Sequence, residues 1–332
     1  MSKNINIFIW TEVFNCGKIG AVSIKSFLKH HPSRVVHIYG KKSDLDLIDD
    51  HHNVIKIYFS NGFREKIKSC IWRYFNIGSP LITEKFLDRG FKAGHLGTAR
   101  LWSFLIKSRP EGKCIHFDSD VIFFDSVVED IANQLDAVDL IGPVRNYEYN
   151  QNFIDEVRGL RDVAQTCCFG FNKNKIGNFS YEILTRMCQG SFNPRGHKVI
   201  DFFDPVMFDI LGNGGSIFKL SHDEVGGCNT EGSRENKFSK INNFKTPFKI
   251  DFGSKMMHFS AVGSGANIYH NKTVNIPESY RTYALDRYAL FCKIFYLEDL
   301  GIDLSMYSEL ISELNKIDLQ EWRYAGSFCD NS

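Results

Sequence analysis

The chain of 332 residues predicts an α/β fold, a mixed and mainly parallel sheet flanked by helices, with a helical addition at the C-terminal end. Three observations point there. Short apolar runs alternate with helix-like and loop-like stretches in the N-terminal part, the rhythm of a helix-covered parallel sheet. Hydrophobic residues make up 43% of the chain, with 29 Phe, a composition that folds around a sizeable core. The run CIHFDSDVIFFDS, Cys114 to Ser126, sets two carboxylates at the end of an apolar strand, where ligands gather in α/β sheets.

INIFIW reads as a first strand, and TEVFNCGKIGAVSIKSFLKHHP as a loop and a helix ending near Pro32. RVVHIYG is a second strand closed by Gly40, and NVIKIYF a third. Residues 63–75 read as a helix with basic and aromatic faces, and a further helix from Thr98 to Lys107 leads into the strand KCIHF. DAVDLIGPV is a strand, and NYEYNQNFIDEVRGLRDV an aromatic-bearing excursion with Tyr147, Tyr149 and Phe153. TCCFGFN is another strand, followed by a helix from Ile176 to Met187, a Gly/Pro loop, the acidic run IDFFDPVMFDIL and the short strand SIFKL. Residues 224–248 are polar enough for a long surface loop. FGSKMMHFSAVGSGANIY reads as a strand end running into a Gly/Ser loop, and IPESYRTYALDRYALFCKIFYL as a late helix. No internal repeat interrupts this order.

Forty basic and 39 acidic residues give a net charge of +1. That balance supplies no global field for nucleic acid or an anionic bilayer, so neither is expected as a partner. The nine cysteines are irregularly spaced and read as buried thiols of a reducing compartment. The N-terminal apolar run is too short for a signal peptide, and no stretch is long enough to span a bilayer. The expectation is a soluble cytoplasmic chain without a transmembrane segment, with peripheral attachment to a membrane left open.

In an extended segment Asp118 and Asp120 point to one side, with Ser119 turned away. Like charges so placed raise each other's proton affinity unless a cation lies between them. Carboxylates are hard oxygen ligands suited to magnesium or manganese, ions that commonly also hold substrate phosphates. The plainer reading is a solvated turn, since Asp and Ser are ordinary turn formers; the apolar flanks CIHF and VIFF weigh against it. His258, after a short apolar run and before Gly263 and Gly265, is the third candidate ligand, the glycines letting the backbone approach a diphosphate. The early pairs His30–His31 and His51–His52 form no zinc pattern.

These residues resemble the GT-A class of nucleotide-sugar glycosyltransferases. The strand-ending triplet Asp118–Ser119–Asp120 matches that class's Asp-X-Asp motif, which holds manganese or magnesium against the donor diphosphate, with Asp120 as the more direct ligand. GTARLWSFLIKSRPEGKCIHFDSD is similar in order and spacing to retaining members related to glycogenin and bacterial galactosyltransferases. There Arg100 matches an arginine that reaches the donor phosphate or sugar. His258 and Phe259 match the start of a late His-Phe-X-Gly motif; Ala261 stands at its first glycine, and its Lys and Trp are missing. Asp204 matches the leading acid of the region beneath the sugar, with Pro205 where those families have Gln or Glu and Asp201 and Asp209 as competitors.

The resemblance implies a transferase domain over 1–270 and a helical extension over 271–332. It implies a nucleoside diphosphate sugar as donor, UDP-linked before GDP-linked, and a glycan hydroxyl as acceptor. Asp118, Asp120 and His258 would hold the cation, Arg100 would neutralise the leaving diphosphate, and Asp204 would stabilise the anomeric carbon in a retaining reaction. The end of IWTEVF, with Trp10, Phe14 and Thr11, would border the base, though Trp10 serves equally as core. The aromatic excursion would wall the acceptor. Three rivals stand beside this reading. An oxidoreductase lacks its GxGxxG, since Gly17 and Gly20 are out of that register. A metal-dependent phosphohydrolase or nucleotidyltransferase would use the same acidic pair, and a non-catalytic glycan-binding domain of the same fold would need only the surface.

Overall fold

A computed structural model describes residues 7–13, 16–58, 112–146, 162–164, 167–175, 210, 213–220, 225–226, 255–259, 261–271, 278–305, 308 and 311–312. The helices expected at 63–75, 98–107 and 176–187, the aromatic excursion, the acidic run around Asp204 and the long polar loop lie outside them, apart from Asn146, Asp162, Val163, Ile210, Val225 and Gly226.

The main sheet is built from β1 (Phe8–Val13), β2 (Val36–Gly40), β3 (Val54–Tyr58), β4 (Lys113–Phe117), β6 (Leu140–Asn146), β7 (Asp162–Ala164), β8 (Cys168–Asn172) and β9 (Ile217–Leu220). Its order is β3-β2-β1-β4-β8-β6-β7, with β9 on β6. The pairs from β3 through β4 are parallel, as is β6 with β9, whereas β8 runs antiparallel to both neighbours. A second sheet, β10-β11-β5, joins β5 (Val121–Phe123), β10 (Val225–Gly226) and β11 (Met256–His258). Helices α1 (Gly17–His30), α2 (Lys42–Leu45) and α3 (Val127–Gln134) accompany the strands, and α4 (Val262–Asn271) and α5 (Glu278–Phe295) close the described chain. This is the mixed α/β sheet with C-terminal helices that the sequence predicts.

The core explains why β4 and β5 are fixed so firmly. Every residue of both strands is buried, as strands covered on both faces require. Phe27 of α1 stacks on Phe117 with ring centres 5.2 Å apart, and Phe123 meets both rings edge-on. Each such ring contributes about 2 kcal/mol of hydrophobic stabilisation. On the same face of the sheet Gly170, opposite Ile115, makes room for α3: a Cβ there would lie 2.4 Å from Ile131. Phe291 and Phe295 of α5 pack around Phe259 just beyond β11, tying the C-terminal helix to the same core.

Two local expectations are corrected. β1 continues to Val13, so Thr11 is a strand residue, buried with Trp10 rather than exposed at a loop. The Gly/Ser stretch after His258 is helix α4, not a loop. Its glycine content serves packing, since a Cβ on Gly265 would stand 2.1 Å from the Ala284 carbonyl of α5. Ala261, just before α4, has φ +70°, a left-handed conformation that glycine adopts freely and alanine adopts at a cost of about 1–2 kcal/mol.

His31 shows how a buried polar group is reconciled with this core. The Val128 N–H at the start of α3 donates to its Nε2 at 3.1 Å, so Nδ1 carries the proton and donates to Phe27 O at 3.1 Å. Burial lowers its pKa from 6.5 to about 4. The unfolded chain therefore binds the proton first as pH falls, and stability present above pH 6.5 is lost toward about pH 4, by roughly 3 kcal/mol. Urea unfolding followed across this range is expected to show that loss in the wild type. A His31→Leu variant is expected to be less stable at neutral pH and to have most of the dependence removed. Gly265→Val is expected to cost about 3 kcal/mol or more by forcing α4 from α5, measured as a fall in urea midpoint.

Candidate metal site

The site begins where β4 stops. The Asp118 N–H donates to Cys167 O at 2.9 Å, extending the β4–β8 ladder by one step, and the Val121 N–H then donates back to Asp118 O at 3.2 Å. That closed turn reverses the chain into β5. The two carboxylates thus converge because a turn folds them together, and not through the extended alternation the sequence suggests. β11 brings the third group: His258 lies opposite Val121 in antiparallel register, and the Phe259 N–H donates to Asp120 O at 2.9 Å.

His258 Nε2 stands 3.2 Å from Asp120 Oδ1 and 3.6 Å from Asp118 Oδ2. One donor atom from each of the three residues lies within 4.8 Å of the others. Bonds of about 2.0–2.2 Å to one divalent ion set its ligand atoms about 3.0–3.6 Å apart, so the set fits a cation with little movement. Their side chains are 31%, 13% and 13% exposed for Asp118, Asp120 and His258, which leaves an approach from one side.

Electrostatics favours a positive charge there. Withdrawal from water holds the Asp118 carboxyl well above its ordinary 3.8; His116 and His258 oppose the rise, and the Asp120 charge adds to it. Burial works against a charged imidazole at His258, but the Asp120 carboxylate, by charge and hydrogen bond, outweighs it with help from Cys167. Its pKa therefore lies well above 6.5, and the imidazolium occupies the place of a cation between the carboxylates.

The surroundings contain residues that motif reading does not select. His116, two residues before Asp118 on β4, is buried against Trp10 and Phe169 and pairs through Nε2 with Glu12 at 3.2 Å. Cys16, just ahead of α1, places Sγ 3.3 Å from Ser119 Oγ. A period-two count from Asp118 back to His116 signals the first; nothing in sequence spacing links Cys16 to Ser119, 103 residues away.

The other expected residues fall in different places. Trp10 is 1% exposed, stacked on Phe8 with ring centres 5.4 Å apart and edge-on to Phe171, so its indole packs within the core. Gly263 lies in the first turn of α4 with open space beside it, whereas the Gly265 N–H donates to Ala261 O. Lys255 pairs with Asp130 at 2.8 Å. Arg100, Phe14, Asp201, Asp204 and Asp209 lie outside the described residues.

No protein-family model matches this sequence, and no curated protein does. Among solved structures, mouse xyloside xylosyltransferase 1 is similar with a TM-score of 0.45 and 11% identity, over 76% of this chain and 97% of that one. The galactosyltransferase LgtC in complex with donor and acceptor sugar analogs gives 0.44 and 11%, over 83% and 99%. A 4-diphosphocytidyl-2C-methyl-D-erythritol synthase from Anaerococcus prevotii gives 0.34 and 11%, over 64% and 86%. These are likenesses in chain path, at identities that speak to fold alone. Among the described residues no helix is long and apolar enough to cross a membrane.

A cation entering this site displaces protons from His258 and Asp118, both held more firmly than usual, so its affinity is expected to rise with pH. Manganese calorimetry in buffers of different ionisation heat measures this directly. The expected result is release of about one to two protons per ion, and loss of binding in Asp120→Asn.

Proposed function

We propose that this chain is a metal-dependent glycosyltransferase of the GT-A type, moving a sugar from a nucleoside diphosphate sugar to a hydroxyl of a glycan, with retention of configuration. UDP-sugars are favoured over GDP-sugars as donors. The observation that carries the reading is the convergence of Asp118, Asp120 and His258 at the carboxyl end of β4, with ligand spacing for one divalent ion. The likenesses in fold add nothing to that geometry.

Asp118, Asp120 and His258 would hold manganese or magnesium, which when bound offsets the charge that develops on a leaving diphosphate. The protein's own part is orientation. The Asp118–Val121 turn and the Phe259-to-Asp120 bond fix the carboxylates and imidazole before any donor arrives, so little reorganisation is left for the reaction. Ser119, held by Cys16, keeps the triplet in its turn. α4 begins four residues after His258, and the backbone at Gly263 in its first turn, with open space beside it, is assigned to the donor phosphates. Gly265 supports it by seating α4 on α5. Trp10 and Thr11, fixed in the sheet, hold the end of β1 to which the base is assigned.

Arg100 is assigned to the diphosphate, where a guanidinium makes a bidentate contact, and Asp204 to the face beneath the sugar. Residues 1–270 form the transferase domain in this reading, and 271–332 a helical extension. The chain acts on the cytoplasmic side, and peripheral attachment to a membrane is compatible with the reading.

A panel of UDP- and GDP-sugars with manganese tests it. The expected result is slow donor hydrolysis that releases a nucleoside diphosphate, reduced about 100-fold or more in Asp120→Ala. Release of orthophosphate, or attachment of a nucleotide, would instead support a phosphohydrolase or nucleotidyltransferase using the same three ligands. Full turnover in the Asp120 variant would sink the assignment.

A further inference from the structure

One thiol beside this site has no part in the proposed reaction. Cys168 lies opposite Phe117 in the antiparallel β4–β8 register, so Cys167, one residue earlier, lies opposite Asp118, whose N–H it accepts at 2.9 Å. Directly opposed residues in an antiparallel pair project to the same face with Cβ atoms about 4.5–5.5 Å apart. The Cys167 side chain therefore shares the face of the Asp118 carboxylate. It also helps raise the His258 pKa, so it lies near a second ligand.

We propose that Cys167 is a latent fourth donor to the Asp118–Asp120–His258 site, which for this reason captures thiophilic divalent ions such as zinc and cadmium in a set of two oxygens, one nitrogen and one sulfur. The proposal rests on the metal site read above and adds its selectivity. Cys167, 1% exposed, is not among the three donors already within 4.8 Å of one another, so the proposal requires its Sγ to move toward them when the ion binds. As the sulfur–metal bond forms, the thiol proton leaves to solvent.

The chemistry favours zinc over manganese twice. Carboxylate and imidazole already bind zinc more tightly along the first-row series, and a thiolate is a soft ligand that manganese uses poorly. Four protein donors also complete the tetrahedral shell zinc prefers. Manganese, held by two carboxylates and an imidazole, keeps positions open for phosphate oxygens; zinc with Cys167 does not. Zinc is thus an inhibitor of this site and not an alternative cofactor. The neighbouring thiols differ: Cys16 meets Ser119 and not a ligand, and Cys168 alternates to the other face of its strand and is buried in the core.

Cobalt, a spectroscopic stand-in for zinc, tests this on the full chain. Wild-type protein titrated with cobalt is expected to show visible d–d bands together with a sulfur-to-cobalt charge-transfer band in the near ultraviolet. Cys167→Ser should keep the d–d bands and lose the charge-transfer band, and its ratio of zinc to manganese affinity should fall about tenfold or more. Cadmium NMR of the wild type gives the same reading without a variant, since one sulfur ligand moves the resonance strongly downfield of an oxygen and nitrogen site. Cobalt bound with no charge-transfer band, or a band that survives in Cys167→Ser, overturns the proposal while leaving the three-ligand site intact. If cobalt and manganese both fail to bind the wild type, the glycosyltransferase reading falls with it.

Discussion

The arrangement depends on one closure, the antiparallel pairing of β11 with β5 that sets His258 opposite Val121 and lets the Phe259 N–H reach Asp120 O. Without it the two aspartates are a strand-end turn, of a kind common on protein surfaces. With it, two carboxylates and an imidazole share a space small enough that their charges cannot be treated separately. A group of that kind either holds a proton in common or holds a cation. Both states leave the same three donors facing one point.

Holding such a cluster requires a rigid floor, and the fold supplies it from apolar material. β4 and β5 are buried throughout, and the rings of Phe27, Phe117 and Phe123 lock α1 to both strands. His31 then links the end of α1 to the first turn of α3 through its own hydrogen bonds. From the other side, α5 presses Phe291 and Phe295 on Phe259, the residue directly after the imidazole ligand. Long-range packing on both flanks of the triad holds the elements that carry the three donors.

A balance of hard and soft chemistry runs through the site. Two carboxylates and an imidazole offer donors to a divalent ion, and two thiols stand at the edges, Cys16 against Ser119 and Cys167 paired across the strands from Asp118. Their presence shifts attention from which residues bind an ion to which ions the site must keep out.

Much of this was legible in the chain. The apolar runs gave the strands in order, the late helix is where its pattern puts it, and Asp118, Asp120 and His258 stood out by residue type and by their apolar flanks. Period and composition carry such information because they report which face of an element must leave water. Other features came only with tertiary contacts. Gly263 to Gly265 read as a loop because glycine permits one, and the approach of α5 makes them helix instead. Trp10 read as core or as a ring stacked on the base, and the rings of His116 on β4 and Phe171 on β8 packed against it make it core. The Cys16–Ser119 and Glu12–His116 contacts join residues more than a hundred positions apart. Sequence periodicity fixes the direction a side chain takes from its own element; which partner meets it is decided by strand order and register, which no local pattern encodes.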